Sequence, residues 1–135
     1  DMLERLFGGA RVLLVEDDPL NREVASLLLE DAGLVVDVAV NGLEAVDRAR
    51  DGNYALILMD VQMPVMNGLD ATRAIRQLPG WSGVPILAMT ANAFDEDRER
   101  CLEAGIDDHV GKPVVPDTLY RMLLNWLRKP AVPGT

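Results

Sequence analysis

A doubly wound α/β domain with a five-stranded parallel sheet is the fold this sequence predicts, and three observations predict it. Short apolar runs and helical patterns alternate five times along the 135 residues. The runs start roughly 20 to 30 residues apart, about the length of a strand plus a crossover helix. The first and third runs, Val12–Val15 and Tyr54–Met59, are almost wholly apolar, as strands buried on both faces of a parallel sheet should be.

The first strand, Val12–Val15, leads into a helical pattern at about 20–32, closed by Gly33 where a C-cap glycine sits. On this helix Leu20, Val24 and Leu27/Leu28 form one apolar set, and Ala25 with Leu29 another; one of the two must face the sheet. The second strand is Leu34–Val40. Asn41-Gly42 follows it and can signal a hairpin, but Leu43, Val46 and Ala49 continue at helical spacing, so the pair enters a helix at 42–51. Tyr54–Met59 is the third strand, with a helix at about 68–77 after it. Pro85–Met89 is the fourth, with a helix at about 93–104. The fifth, Asp108–Val110, is short and polar. A last helix follows at 117–128; Pro116 suits its first turn, and Asp117 adds the negative charge a helix start favours. Strands alternating with helices imply a sheet covered on both faces. The order 2-1-3-4-5, one of two common doubly wound arrangements, opens a crevice beside strands 1 and 3, and ligands bind there at the carboxyl ends.

This length fits one domain that buries a substantial core without disulfides or a structural metal. The apolar runs fall far short of the roughly 20 residues a membrane span needs, so no membrane insertion of this domain is expected. Cys101 is the only cysteine, which suits a reducing compartment. No charged-then-apolar leader is present, and a cytoplasmic location is expected. The net charge of −9, from 13 basic and 22 acidic side chains, disfavours direct nucleic-acid binding. The chain begins with Asp1, and Pro130–Thr135 reads as a linker. Residues 10–129 are therefore expected to form the domain, with 1–9 and 130–135 as flanking linkers; the start at Asp1 suits a piece cut from a longer protein, and terminal processing would give the same start.

The chemistry lies at the strand ends. Strand 1 ends in Glu16-Asp17-Asp18, strand 3 in Asp60, and strand 4 in Thr90; Lys112-Pro113 follows strand 5. Packed carboxylates repel and are stable as anions only with a cation between them. Hard oxygen ligands suit Mg²⁺ or Mn²⁺. A metal at Asp17 and Asp60 leaves one Asp60 oxygen free to attack phosphorus, and Lys112, Thr90 and backbone N–H groups can stabilise the charge that develops.

Four stretches now carry a resemblance: Val12-Leu-Leu-Val-Glu-Asp-Asp-Pro-Leu-Asn-Arg22, Leu58-Met-Asp-Val-Gln-Met-Pro-Val-Met-Asn-Gly68, Met89-Thr-Ala91 and Gly111-Lys-Pro113. In this order they resemble a two-component response-regulator receiver domain, over about residues 10–128. The runs Pro19-Leu-Asn-Arg22 and Met89-Thr-Ala-Asn-Ala93 look most like receivers attached to hybrid sensor histidine kinases. The resemblance implies a flavodoxin-like (βα)5 fold. It implies that Asp60 accepts a phosphoryl group, that Asp17 is a direct metal ligand, and that Glu16 acts through metal-bound water. It further implies that the Gln62 carbonyl completes the protein's share of the Mg²⁺ (or Mn²⁺) shell. Thr90 resembles the switch hydroxyl, Lys112 its fixed counter-ion, and Pro113 a cis-bonded proline. By the same resemblance Gln62 and Asn92 occupy positions that tune hydrolysis in the family. Asp18 lies one position beyond the family's acidic pair and stays out of the metal shell. His109 stands where the family often has Tyr or Phe as a rotating reporter; it can still swing inward, with a more polar ring than the family's usual aromatic.

The implied donor is a histidine kinase or a histidine phosphotransfer domain, docking at Leu20, Val24 and Val114; the domain itself is expected to be a monomer or weak dimer. The parent would be a histidine kinase, either free or membrane-anchored, with self-phosphorylation and autophosphatase competence in this domain. A stand-alone single-domain regulator is the alternative. A haloacid-dehalogenase-like phosphatase fits less well, because the acid it needs two residues after the nucleophile is Gln62. A degenerate docking module fits less well too, since the whole set of site residues is present. Plainer roles exist for single members of the set: Glu16 and Asp17 as helix caps, Thr90 as an N-cap, Lys112 as a surface lysine. Cys101, Met59, Met63, Met66 and Met89 read as packing.

Overall fold

A computed structural model describes residues 5, 7–61, 68–81, 83–90, 95–111 and 115–128. Five strands alternate with five helices. The order is β1 (Arg11–Val15), α1 (Pro19–Asp31), β2 (Val35–Ala39), α2 (Gly42–Asp51), β3 (Leu56–Asp60), α3 (Gly68–Arg76), β4 (Ile86–Thr90), α4 (Asp95–Ala104), β5 (Asp108–Gly111) and α5 (Pro116–Arg128). The strands form one sheet in the order β2-β1-β3-β4-β5 with every neighbour parallel, as the sequence predicts.

The period of two along each strand divides the core. Leu13, Val15, Ile57, Met59, Ile86 and Ala88 pack on one face with Ala45, Val46 and Ala49 of α2, Ala71 and Ile75 of α3, and Cys101 of α4. Val12, Leu14, Leu56, Leu58, Leu87, Met89 and Val110 pack on the other with Ala25 and Leu29 of α1 and Leu119 and Leu123 of α5. Cys101 and the two described core methionines are packing residues, as expected. Phe7 packs on the second cluster and the Gly9 N–H donates to the Gly33 carbonyl (2.8 Å), so packing reaches back into the segment read as a flank.

Local chemistry explains the element ends. The Asp18 side chain accepts from the Leu20 N–H and caps α1. Gly33 follows the end of α1 with φ +85°, a left-handed conformation that glycine adopts freely. Asn41 caps α2 by accepting from the Glu44 N–H (2.8 Å), and Glu44 reaches back to the Val40 N–H (3.2 Å). That reciprocal cap is why Asn41-Gly42 opens a helix rather than a hairpin. The short polar β5 is held by its neighbours: Asp108 accepts from the indole N–H of Trp126 on α5 (2.8 Å). Among the described residues no helix is long and apolar enough to cross a membrane.

Candidate functional site

β1 and β3 lie side by side at the centre of the sheet, with Val15 opposite Met59. The residue that follows each of these is acidic, so the pairing itself brings Glu16, just past β1, and Asp60, the last residue of β3, to one edge. Carboxylate oxygens of Glu16, Asp17 and Asp60 all lie within 4.8 Å of one another. Glu16 and Asp60 are buried, at 1% and 2% exposure. Two unit charges at that separation repel by roughly 3 to 4 kcal/mol at an effective dielectric near 20, which makes the trio a poor assembly of anions without a cation.

The donor set fits a hard divalent ion. Ligand oxygens about 2.1 Å from an octahedral Mg²⁺ stand roughly 3 to 4 Å apart, so the trio is spaced to share one ion after small adjustments. Glu16 also accepts from the Asp18 N–H (3.2 Å), which turns one of its oxygens toward the loop. Asp18 itself caps α1, its side chain accepting from the Leu20 N–H.

Two residues given no role in the sequence analysis shape this edge. Arg22, the one basic residue of α1, donates through Nη1 to the Glu16 carbonyl (3.1 Å) and the Asp17 carbonyl (3.4 Å). Its charge and its position six residues after Glu16, less than two helical turns on, are the signal that could have found it. Gly68 opens α3 with its N–H on the Val61 carbonyl (3.0 Å). A Cβ there would meet the Asp60 carbonyl oxygen and come within 2.8 Å of Val61 Cα. A glycine at a helix start just after an acidic strand end was the available signal. Thr72 on the next turn closes the helix by donating to the Gly68 carbonyl (2.7 Å).

The remaining candidates are placed as follows. Thr90 ends β4, one residue past Met89, which pairs with Asp60, so its backbone stands at the same sheet edge. His109 pairs with Ala88 and is half-buried on the sheet face that α4 covers. Leu20 and Val24 are exposed on α1 at 67% and 45%, because Ala25 and Leu29 turn to the sheet instead. Gln62, Asn92, Lys112, Pro113 and Val114 lie outside the described residues.

Comparison with known proteins agrees with this geometry. Residues 12–124 match the family model described as the response regulator receiver domain. Hybrid signal transduction histidine kinase B of Dictyostelium discoideum is 43% identical over 125 residues, covering 84% of this chain and 6% of the kinase. The chain thus spans a small part of the length of that relative. The receiver domain of sensor histidine kinase PA1611 from Pseudomonas aeruginosa, whose crystal structure has a magnesium ion coordinated in the active-site cleft, is 42% identical. It superposes with a TM-score of 0.85, covering 90% of this chain and 100% of that one. A co-crystal structure of the Saccharomyces cerevisiae histidine phosphotransfer protein Ypd1 with the receiver domain of Ssk1 contains a chain 30% identical. Its TM-score is 0.83, over 95% of both chains.

Proposed function

The chain belongs to the response regulator receiver family, a phosphorelay module, and on that premise we propose that Asp60 takes a phosphoryl group from a phosphohistidine donor. The observation that carries this reading is the convergence of Glu16, Asp17 and Asp60 within 4.8 Å at the carboxyl ends of β1 and β3. An Asp60 carboxylate oxygen attacks phosphorus as the phosphorus–nitrogen bond of the donor breaks, and the imidazole leaves and takes up a proton. Water later attacks the same phosphorus, releasing phosphate and returning the carboxylate. Asp17 and Asp60, with Glu16 through water and the Gln62 carbonyl, would hold Mg²⁺ or Mn²⁺, which supplies neutralising charge for the phosphoryl oxygens. Arg22 keeps the loop of the acidic pair in place by bonding its carbonyls.

Lys112 is the counter-ion in this reading, with Pro113 as a cis-bonded residue behind it. Thr90 and His109 pass the event to the face formed by α4, β5 and α5. Gln62 and Asn92 flank the phosphoryl group and tune its hydrolysis. Residues 10–129 form the functional unit, with flanking segments on either side, in the cytoplasm and as a monomer or weak dimer. Similarity to hybrid histidine kinases favours a hybrid kinase as the parent protein over a stand-alone regulator. The Ypd1–Ssk1 co-crystal supports a histidine phosphotransfer domain as partner. The docking residues in this reading are Leu20, Val24 and Val114, the first two exposed apolar side chains of α1.

Incubation with acetyl phosphate and Mg²⁺, followed by intact mass measurement, tests the reading. One phosphoryl mass should be gained by the wild type and none by Asp60→Asn. Absence of an Asp60-dependent gain would leave a docking module. Rapid turnover of many equivalents would instead indicate a phosphatase.

A further inference from the structure

We propose that Arg76 is a positioning residue for the switch: its guanidinium pins the amino ends of β4 and β5, so that phosphoryl-driven movement is confined to their carboxyl ends. This rests on the phosphoacceptor reading of Asp60.

A guanidinium has five N–H groups, and here all five are engaged. Nε and Nη2 donate to the Gly105 carbonyl (3.0 and 2.7 Å). Nη2 also donates to Asp107 Oδ2 (2.8 Å). Nη1 donates to the carbonyls of Trp81 and Val84 (2.6 and 2.7 Å). The acceptors lie in the loop entering β4 and the turn entering β5. Asp107 ties those two points together, accepting from the Ile86 N–H (2.9 Å) while its own N–H donates to the Ile86 carbonyl (2.8 Å). The Arg76–Asp107 pair is mostly sheltered, with side chains 15% and 33% exposed.

Gly105 is shaped to the clamp. Its φ is +109°, and a Cβ there would meet Arg76 Cγ at 2.9 Å and Nε at 3.1 Å. The other end of the same helix is equally fixed, since Gly68 opens α3 against the Asp60 peptide. Nine residues of helix, about 13 Å at 1.5 Å per residue, therefore run as a strut from the acceptor strand to the clamp. Thr90 and His109 lie beyond the pinned ends, toward the acidic edge. A lysine has three donors and no planar fork, so it cannot hold this set of acceptors.

Amide resonances recorded with and without beryllofluoride and Mg²⁺ test the pivot in the wild type, Arg76→Lys and Asp107→Asn. In the wild type the shifts should be large near Thr90 and His109 and fade toward Val84–Ile86 and Gly105–Asp107. In both variants they should spread into those two segments, while Asp60 still gains one phosphoryl mass from acetyl phosphate. Apparent beryllofluoride affinity should move by roughly 2- to 30-fold, the usual range for a residue that modulates coupling. Asp107→Asn leaves the four carbonyl-directed bonds of Arg76 in place and covers the case in which Arg76→Lys does not fold. Lower melting temperatures with an unchanged shift pattern would make the clamp merely structural and overturn the pivot. So would wild-type shifts as large at Ile86 and Asp107 as at His109. A wild type with no Asp60-dependent response would fail the phosphoacceptor reading itself, and the pivot with it.

Discussion

Gly68 lies against the peptide of Asp60, so close that a single Cβ would strike the Asp60 carbonyl oxygen and approach Val61 Cα to 2.8 Å. The neighbours it would meet are backbone, which cannot turn aside as a flexible side chain can. Gly68→Ala should therefore lower stability by about 1 to 3 kcal/mol, the range for overpacking. It should also move Asp60 away from Glu16 and Asp17, and weaken Mg²⁺-dependent phosphorylation. Denaturant midpoints and intact mass after acetyl phosphate treatment would check both effects.

Repulsion among the three carboxylates has its own signature. Asp60→Asn and Asp17→Asn each remove one negative charge from the cluster, so each variant should be more stable than the wild type when no divalent cation is present. Mg²⁺ at about 100 times its dissociation constant should add roughly 2.7 kcal/mol to the wild type by mass action, and much less to either variant. Thermal melts with EDTA and with Mg²⁺ would show the crossover.

Most of the fold was legible in the sequence because strand burial and strand alternation coincide here. Runs such as Leu56–Met59 are buried on both sides and leave no polar face to confuse the period. The acidic edge was legible for the same reason: an apolar strand that stops at a carboxylate marks its own carboxyl end. What was not legible depends on distance across the fold. The hold of Arg76 on Gly105 spans 29 positions and joins a charged side chain to a backbone carbonyl, which no periodicity encodes. The choice between the two stripes of α1 was likewise hidden, because both sets are apolar and only the sheet decides which is covered. The apparent equivalence of the Leu20/Val24 stripe and the Ala25/Leu29 stripe is broken by size, the small Ala25 allowing close approach to β1 and β2.

Asp18 and Asp17 are neighbours with separate tasks, and substitution should separate them. Asp18→Ala removes the side-chain acceptor for the Leu20 N–H and should lower stability by about 1 kcal/mol, as loss of an N-cap does. Its Mg²⁺ affinity should stay close to that of the wild type. Asp17→Asn should do the reverse, weakening Mg²⁺ binding strongly. A Mg²⁺ titration followed by thermal melting distinguishes the two.

Leu20 and Val24 are exposed apolar side chains on the helix that starts beside the acidic edge. Leu20→Glu and Val24→Glu should slow phosphoryl transfer from a histidine phosphotransfer domain by roughly 10-fold or more, the scale of a lost apolar anchor in an interface. Phosphorylation by acetyl phosphate, which needs no docking, should be unchanged. Ala25→Glu, by contrast, should fail to fold, because it puts a carboxylate into the core.

Asp37 joins β2 to the chain entering β3, accepting from the Tyr54 hydroxyl (2.7 Å) and from Arg11 Nη2 (2.6 Å). The Tyr54 hydrogen bond first, and then the Arg11 hydrogen bond, hold its carboxyl below the ordinary 3.8. A depressed carboxyl stabilises the fold fully above its unfolded value, and this is lost as pH falls through the folded value. The Tyr54 phenol is shifted upward from 10.0, by burial first and by the bond to Asp37 next. A phenol raised on folding stabilises fully below its unfolded value, and that contribution is lost as pH rises through the folded one. Urea midpoints should therefore fall on the acid side below about pH 4 and on the alkaline side above about pH 10. Asp37→Asn should flatten the acid limb. Tyr54→Phe should remove this group's share of the alkaline limb and weaken the acid one, since Asp37 then loses the hydrogen bond that lowers it most. An acid limb of unchanged slope in Asp37→Asn would assign the pH dependence to other carboxylates.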